Sequence, residues 1–439
     1  MPSVTACLAL TVVTALGVVI YAYVGYPLLI WAASRLFGRK HRRPELSDAE
    51  LPYVSLLIVA YNEEAMIRQR IENALQLDYP AGKLEIVVAS DGSIDGTNDI
   101  VRSYAHRGVR LLAYEPRRGK AAVLNDAISA LRGSVVMLSD ANTFTEAQAA
   151  RQLAPWFALP AIGAVCGKLV LTDPQFGRNV DGIYWKYETF LKMCESRLGA
   201  LLGSNGGIYA LRKSIYTKIP DDTYIDDFVV PLLAKQQHGI SIVYDHHAKA
   251  FEETPASMTS EFHRRARIGA GGFQAIGILR DLLRPQHGWI AFTFLNHKVL
   301  RWMGPFLLLY ALLANCFLVQ ALTIRGLGEK PLLPYLAALL ALQVCFYVSS
   351  LFTAVVPNRP KFLKILRLPA MFTLMNVALG VGFYRWMLGR QQAAWKRTLR
   401  ASETIAEGPK TEPEDDLRAI AESLERQSRK ASKARVGRS

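Results

Sequence analysis

Between Tyr53 and Ser139 the chain alternates four short apolar runs with three stretches of helical spacing, and few folds accept that alternation. The apolar runs are 53–60 (YVSLLIVA), 83–90 (KLEIVVAS), 109–115 (VRLLAYE) and 134–139 (SVVMLS). Between them, residues 62–78 place Ile67, Ile71, Ala74 and Leu75 on one side of a helix. Residues 96–107 read as a second helix with Thr97 as its N-cap candidate, and residues 120–131 as a third. Strands that alternate with helices predict an α/β domain, a mostly parallel sheet with helices on both faces. Ligands of such sheets bind at the carboxyl ends of the strands.

Those ends are polar. The first run leads into Tyr61-Asn62-Glu63-Glu64, the second into Asp91-Gly92-Ser93 and Asp95-Gly96-Thr97, and the fourth into Asp140-Ala141-Asn142. A basic stretch, RRGKAAVLN (117–125), lies between the third and fourth. One parallel sheet brings these turns together, and gathering their carboxylates is costly without a cation or hydrogen-bond donors. By contrast His246-His247 are neighbours in an apparent strand, so a period of two sends them to opposite faces and no metal pair is expected. Cys7, Cys166, Cys194, Cys316 and Cys345 include no C-x-x-C, and three of them fall in apolar spans, which fits buried thiols in a reducing compartment.

Residues 5–33 carry no charge and are long enough to cross a bilayer. The run lacks a basic leader and an A-x-A site, so it reads as a retained helix rather than a signal peptide. Residues 303–323, 332–356 and 367–388 are further candidate spans, which explains a hydrophobic content of 51%. The net charge of +15 resides largely in 35–43, 358–367 and 389–400, which flank the apolar segments. That is the pattern of cytoplasmic loops and argues against a nucleic-acid partner. The expected organisation is a transmembrane helix (1–36), a basic linker (37–52) and a cytoplasmic domain (53–258). Amphipathic interface helices (259–300), about three transmembrane helices (301–390) and a largely disordered tail (391–439) with a short helix at 413–427 follow. Basic 38–43 inside puts the N-terminus outside. Three further spans would then leave the tail outside, whereas its own basic start, 389–400, argues for inside. The sequence leaves open whether one span is re-entrant or the 286–323 region crosses twice.

The run VSLLIVAYNEE, EIVVASDGSIDGT, RRGKAAVLNDA and VVMLSDANT resembles the inverting family 2 glycosyltransferases of GT-A type. GSNGGIYALR (203–212) and YIDDF (224–228) resemble motifs of the processive branch, the cellulose, chitin, hyaluronan and poly-N-acetylglucosamine synthases. The resemblance covers about residues 50–270. It implies a GT-A nucleotide-sugar domain plus an α-helical transmembrane bundle in the cell (inner) membrane. Tyr61, Asn62, Glu63, Asp91, Lys120 and Asp140 would contact the nucleotide sugar. Asp140, with Asn142, would hold Mg²⁺ or Mn²⁺, hard ions that take oxygen ligands. Gly203, Ser204, Asn205 and Gly206 would meet a saccharide acceptor, and Asp227 would be the general base. Two departures stand out. The D-x-D motif is D-A-N here, and the branch's Q-x-x-R-W is Arg264-Arg265-Ala266-Arg267-Ile268. Arg267, with Arg264, is placed to clamp a diphosphate at the interface. The missing Trp removes an aromatic platform for the acceptor, which bears on product length rather than on transfer. Tyr184, Trp185 and Tyr187 either stack on sugar or pack a helix. The leading reading is a membrane-embedded, metal-dependent inverting transferase that extends a β-linked poly- or oligosaccharide from a nucleotide sugar, such as a UDP sugar, with polysaccharide-export proteins as candidate partners. The alternatives are single-sugar transfer to a polyprenyl-phosphate or other lipid, and a non-catalytic subunit of an export complex.

Overall fold

The computed structural model describes residues 4–173, 178–179, 182–254, 258–325, 330–355 and 366–392. The tail from 393 and its expected helix at 413–427 lie outside them. The first apolar run forms α1 (Val4–Ile20) and α2 (Tyr26–Leu36), joined through a π-helical turn at Tyr21–Gly25. The next domain contains β1 (Val54–Ala60), α3 (Glu64–Leu75), β2 (Leu84–Asp91), α4 (Thr97–Ser103), β3 (Val109–Tyr114), α5 (Lys120–Ala127) and β4 (Val135–Asp140). It continues with β5 (Thr143–Thr145), α6 (Ala149–Leu153), β6 (Ile162–Asp173), β7 (Arg178–Asn179), α7 (Ile183–Arg197), β8 (Tyr209–Arg212), α8 (Asp226–His238) and β9 (Ser241–Glu253). Then come α9 (Met258–Ile278), α10 (Trp289–Thr293), α11 (Leu300–Arg325), α12 (Leu333–Val355) and α13 (Arg367–Met387).

The sheet order is β3-β2-β1-β4-β8-β6-β9-β5, with β7 on β6. β1 to β4 pair in parallel, as expected. β8 enters antiparallel between β4 and β6, so the whole sheet is mixed. β1 is buried along its length, with Leu57 and Val59 in one core and Leu56 and Ile58 in the other. Burial on both faces is why the strand reads as unbroken apolar sequence. Register pairs Val59 with Asp140 and Ala60 with Ser90, so the polar turns share one rim. One detail differs from the sequence reading: Gly96, not Thr97, is the N-cap of α4. The Thr97 N–H and hydroxyl both donate to Asp95 Oδ1, at 3.1 and 2.5 Å, which draws Thr97 into the first turn.

Three helices among the described residues are long and apolar enough to cross a membrane: Val4–Leu36, Trp289–Ile324 and Leu333–Thr353. Ala9, Val12 and Ala15 of the first pack on Ala311, Leu318 and Leu322 of the second, while Leu10, Leu313, Phe317 and Leu351 face outward. The expected fourth span, α13, is not among the three. It lies along α9, where Gly269 meets Leu379 and Gly382 meets Ala266 and Ala270. Asn376 sits beside Gly304 in the first turns of α11, Phe372 packs on Tyr23, and the Tyr224 hydroxyl reaches the Gln391 carbonyl beyond the helix end. Helix α13 also packs on α12, with Phe372 against Phe346 and Thr373 Oγ1 3.0 Å from Ser350 Oγ. Small residues let α9 approach its neighbours closely. A methyl at Gly382 would press on the backbone of Ala266 and lie 2.7 Å from the Ala270 nitrogen. Gly382→Ala should therefore lower stability by about 1–3 kcal/mol, read as a fall in thermal midpoint in detergent.

Candidate active site

The turns after β1 and β2 are clasped together. Asn62 is the one non-glycine residue at positive φ (52°) among the described residues. Asn tolerates that region because its short side chain finds local partners. Its Oδ1 accepts the Ile94 N–H at 2.9 Å, and its own N–H donates to Ser93 Oγ at 3.1 Å. The Glu63 N–H donates to Thr97 Oγ1 at 2.8 Å. Beside this clasp the Arg117 guanidinium lies 3.5 Å from the centre of the Tyr61 ring, a stacked cation–π pair at the rim. Asp91 is fully buried, and its carboxylate accepts the N–H groups of Arg118 (2.8 Å) and Gly119 (2.9 Å). Its visible work is to shape the turn that feeds α5.

The charged centre lies one step along the rim. Lys120, first in α5, places Nζ 2.7 Å from Asp140 Oδ1 at the end of β4 and 3.0 Å from Asp226 Oδ2 at the start of α8. Burial alone would lower the Lys120 pKa, but Asp140 and Asp226 outweigh it and hold the ammonium above the ordinary lysine range. Asp226 Oδ2 is buried without a well-directed hydrogen bond, so its tie to Lys120 is ionic. Asp227 Oδ2 accepts the Gly206 N–H at 3.0 Å, and its carbonyl accepts the Ser204 N–H at 2.9 Å. A methyl at Gly206 would lie 3.2 Å from Asp140 Oδ2 and 3.4 Å from Asp227 Oδ2, so the two carboxylates reach one point from two sides. Burial, then the neighbouring Asp226, push the Asp227 carboxyl up to about 6. Three carboxylates thus meet one ammonium. That excess of negative oxygen suits a hard divalent ion.

Comparison with known proteins bears on the family and the fold. Residues 55–219 match the model of Glycosyl transferase family 2. The chain carries a family 2 glycosyl transferase domain. It is 27% identical over 244 residues to the probable glycosyltransferase YdaM of Bacillus subtilis (strain 168), covering 51% of this chain and 56% of that protein. It is 26% identical over 258 residues to the poly-beta-1,6-N-acetyl-D-glucosamine synthase of Staphylococcus aureus (strain COL), covering 55% and 59%. Each match spans less than two thirds of the relative's own length. The fold also matches a mannosyltransferase from Pyrobaculum calidifontis, solved with GDP-Man and Mn²⁺. The TM-score is 0.64 at 22% identity, covering 87% of this chain and 100% of that one. The family model ends before Asp226 and Asp227, so the placement of those acids rests on the geometry.

Not every expected residue of the glycosyl transferase domain reaches this centre. Arg264 pairs with Glu261 one turn back on α9 (2.8 and 3.0 Å). Arg267 Nη1 donates to the Tyr224 carbonyl at 2.9 Å, two residues before Asp226, and its charge counters the rise at Asp227. The Tyr187 hydroxyl bonds to the Tyr23 carbonyl and to Arg301, so this aromatic packs α7 on the membrane-type helices. Asp226 was missed in the sequence. An acid beside an acid looks like a solvated loop, and only its position opposite Lys120 marks it.

The reading of His246-His247 also changes. Gly167 pairs with Asp245 and Lys168 with Lys249, so residues 246–248 bulge from β9 and its period of two fails there. The two imidazoles stand side by side at 4.0 Å, with the Asp245 carboxylate within reach. That carboxylate already accepts the Trp156 indole N–H at 2.8 Å and the His247 N–H at 2.9 Å, with Arg43 at 3.7 Å. Lys168 and Lys249 add further positive charge near His246. The surroundings favour a cation-rich knot, not an ion site.

Lys120→Met leaves Asp140 and Asp226 without their shared cation. The expected loss is about 3–5 kcal/mol of stability, measured by thermal unfolding in detergent.

Proposed function

We propose that the chain is a membrane-embedded, inverting glycosyl transferase that moves a sugar from a nucleotide sugar to a growing β-linked poly- or oligosaccharide. The observation that supports this best is the meeting of Asp140, Asp226 and Asp227 around Lys120 at the strand rim, with the Gly206 N–H on Asp227. Asp227 takes the proton from the acceptor hydroxyl. Its raised carboxyl matches a base that works near neutral pH. The hydroxyl oxygen bonds the anomeric carbon as the bond to the nucleoside diphosphate breaks, so an α-linked donor gives a β product. Lys120 keeps Asp140 and Asp226 in register through both events. A divalent ion at Asp140 and Asn142, when bound, supplies Lewis-acid stabilisation of the leaving diphosphate. The Tyr61–Arg117 stack offers a flat cationic surface for the nucleotide, and the 203–207 loop faces the acceptor.

The likeness to a poly-N-acetylglucosamine synthase supports the polymer reading. A UDP-linked donor is the first to screen, with Mg²⁺ and Mn²⁺ in parallel. Asp227→Asn should cut turnover by about 10²–10⁴-fold with donor binding intact, measured as released nucleoside diphosphate. Unchanged turnover would sink the base assignment, and a product of one added sugar would sink the polymer.

The topology we infer has three crossings in the cell (inner) membrane. The N-terminus lies outside, the transferase domain inside, and α11 and α12 lead out and back. Helix α13 then stays at the inner interface beside α9, which puts the basic stretch 389–400 inside, where the positive-inside rule wants it. A reporter fused after Ser439 that fluoresces only in the cytoplasm should be bright, and a dark fusion would restore the fourth crossing.

A further inference from the structure

Helix α7 carries a polar stripe that the proposed chemistry does not use. Glu188, Lys192 and Glu195 recur at helical spacing and share one face. Both acids are buried and anchor the helix to the membrane-type bundle. Arg301 Nη1 of α11 donates to Glu188 Oε1 at 2.7 Å. Glu195 Oε1 accepts the Tyr26 hydroxyl of α2 at 2.7 Å and lies 2.5 Å from His297 Nδ1. His297 sits in the π-helical turn Phe294–Val299 that leads into α11. Breaking one partner of such a buried pair is strongly unfavourable, so α7 has little freedom to shift.

Between the two anchors Lys192 does something else. Its Nζ donates to Asn205 Oδ1 in the 203–207 loop. The same side chain gives its amide N–H to the Gly167 carbonyl at 2.6 Å. A cation on the amide oxygen and a carbonyl on the amide nitrogen permit only one orientation of that group. The next residue, Gly206, donates its N–H to Asp227 Oδ2, and Ser204 donates to the Asp227 carbonyl. Three of the five loop residues are glycines, so the loop brings little stiffness of its own. A continuous series of direct contacts runs from the bundle through α7, Lys192 and Asn205 to Asp227.

We propose that Lys192 is a positioning residue: by holding Asn205 it sets the 203–207 loop, and through Gly206 the direction in which the Asp227 carboxylate faces the acceptor. The inference rests on Asp227 being the base. Lys192 itself touches no reacting atom.

The test uses the purified full chain in detergent with the donor and metal that the screen identifies. Lys192→Met keeps the length of the side chain and removes the donor. It should lower kcat about tenfold or more, the scale of one charge-assisted hydrogen bond, with donor KM and thermal midpoint unchanged. Lys192→Arg, which keeps a donor, should retain more kcat than Lys192→Met. Asn205→Ala should lower kcat similarly, and adding Lys192→Met to it should cost nothing more, because the two residues act as one unit. Independent, multiplying losses would overturn the proposal, as would equal loss in the arginine and methionine variants, or a loss confined to donor KM. If Lys192→Met fails to fold, Asn205→Ala alone decides, and an undiminished kcat overturns the inference. Asp227→Asn is measured alongside. Turnover retained in that variant refutes the base, whereas additivity between Lys192 and Asn205 refutes only the positioning role.

Discussion

Everything at the rim depends on one ammonium. Lys120 stands between Asp140 and Asp226, with Asp227 next in the chain. The acids arrive on the end of β4 and the first turn of α8, elements far apart in sequence. Without a shared cation their approach would be repulsive at close range in a partly desolvated site. The helix N-terminus at α8 helps, since its free N–H groups favour negative charge, but it serves two acids at once. The antiparallel entry of β8 beside β4 is the topological counterpart. Its first residue, Tyr209, pairs with Leu138 near the rim, so the 203–207 loop just before it lies there too.

Much of this was legible in the residues. β1 and β4 are buried on both faces, so their apolar runs are unbroken and their ends are sharp. Asp140 could be found because a carboxylate directly after such a run has few structural reasons to be there. Asp226 could not, because its meaning lies in a lysine about a hundred residues earlier. The imidazoles of His246 and His247 were misread because strand periodicity holds only while the ladder is continuous, and the 246–248 bulge interrupts it. Helix α13 is a subtler case. Its apolar residues looked like a span, and while Val377, Tyr384 and Met387 do face outward, Leu379 and the Gly382 backbone are covered by α9. Composition records that a side is apolar and is silent on what covers it. The small-residue run Gly269–Gly272 carried the missing hint: Gly271 abuts Ile225 and Gly272 abuts Trp302, so α9 is wedged between the sheet domain and α11.

That wedge joins two kinds of surroundings. One side of α9 and α7 contacts the α/β domain, and the other contacts helices whose outward faces are apolar. The polar contacts are concentrated at the junction, where Arg301, His297, Glu188 and Glu195 are buried together. Charge buried at a boundary ties two bodies into one more firmly than apolar packing alone, because slippage would strand an unpaired ion. These polar contacts join α7 of the α/β domain to α2 and α11 of the apolar helices.

Gly206 has a consequence of another kind. Its missing side chain leaves a gap into which the Asp140 and Asp227 carboxylates both point. On the proposed reading, an incoming hydroxyl approaches Asp227 past the 203–207 loop. On that reading, the loop rather than the acids selects which hydroxyl of the acceptor reacts. Regiochemistry would then diverge by exchange of a few loop residues while the charged centre stays fixed.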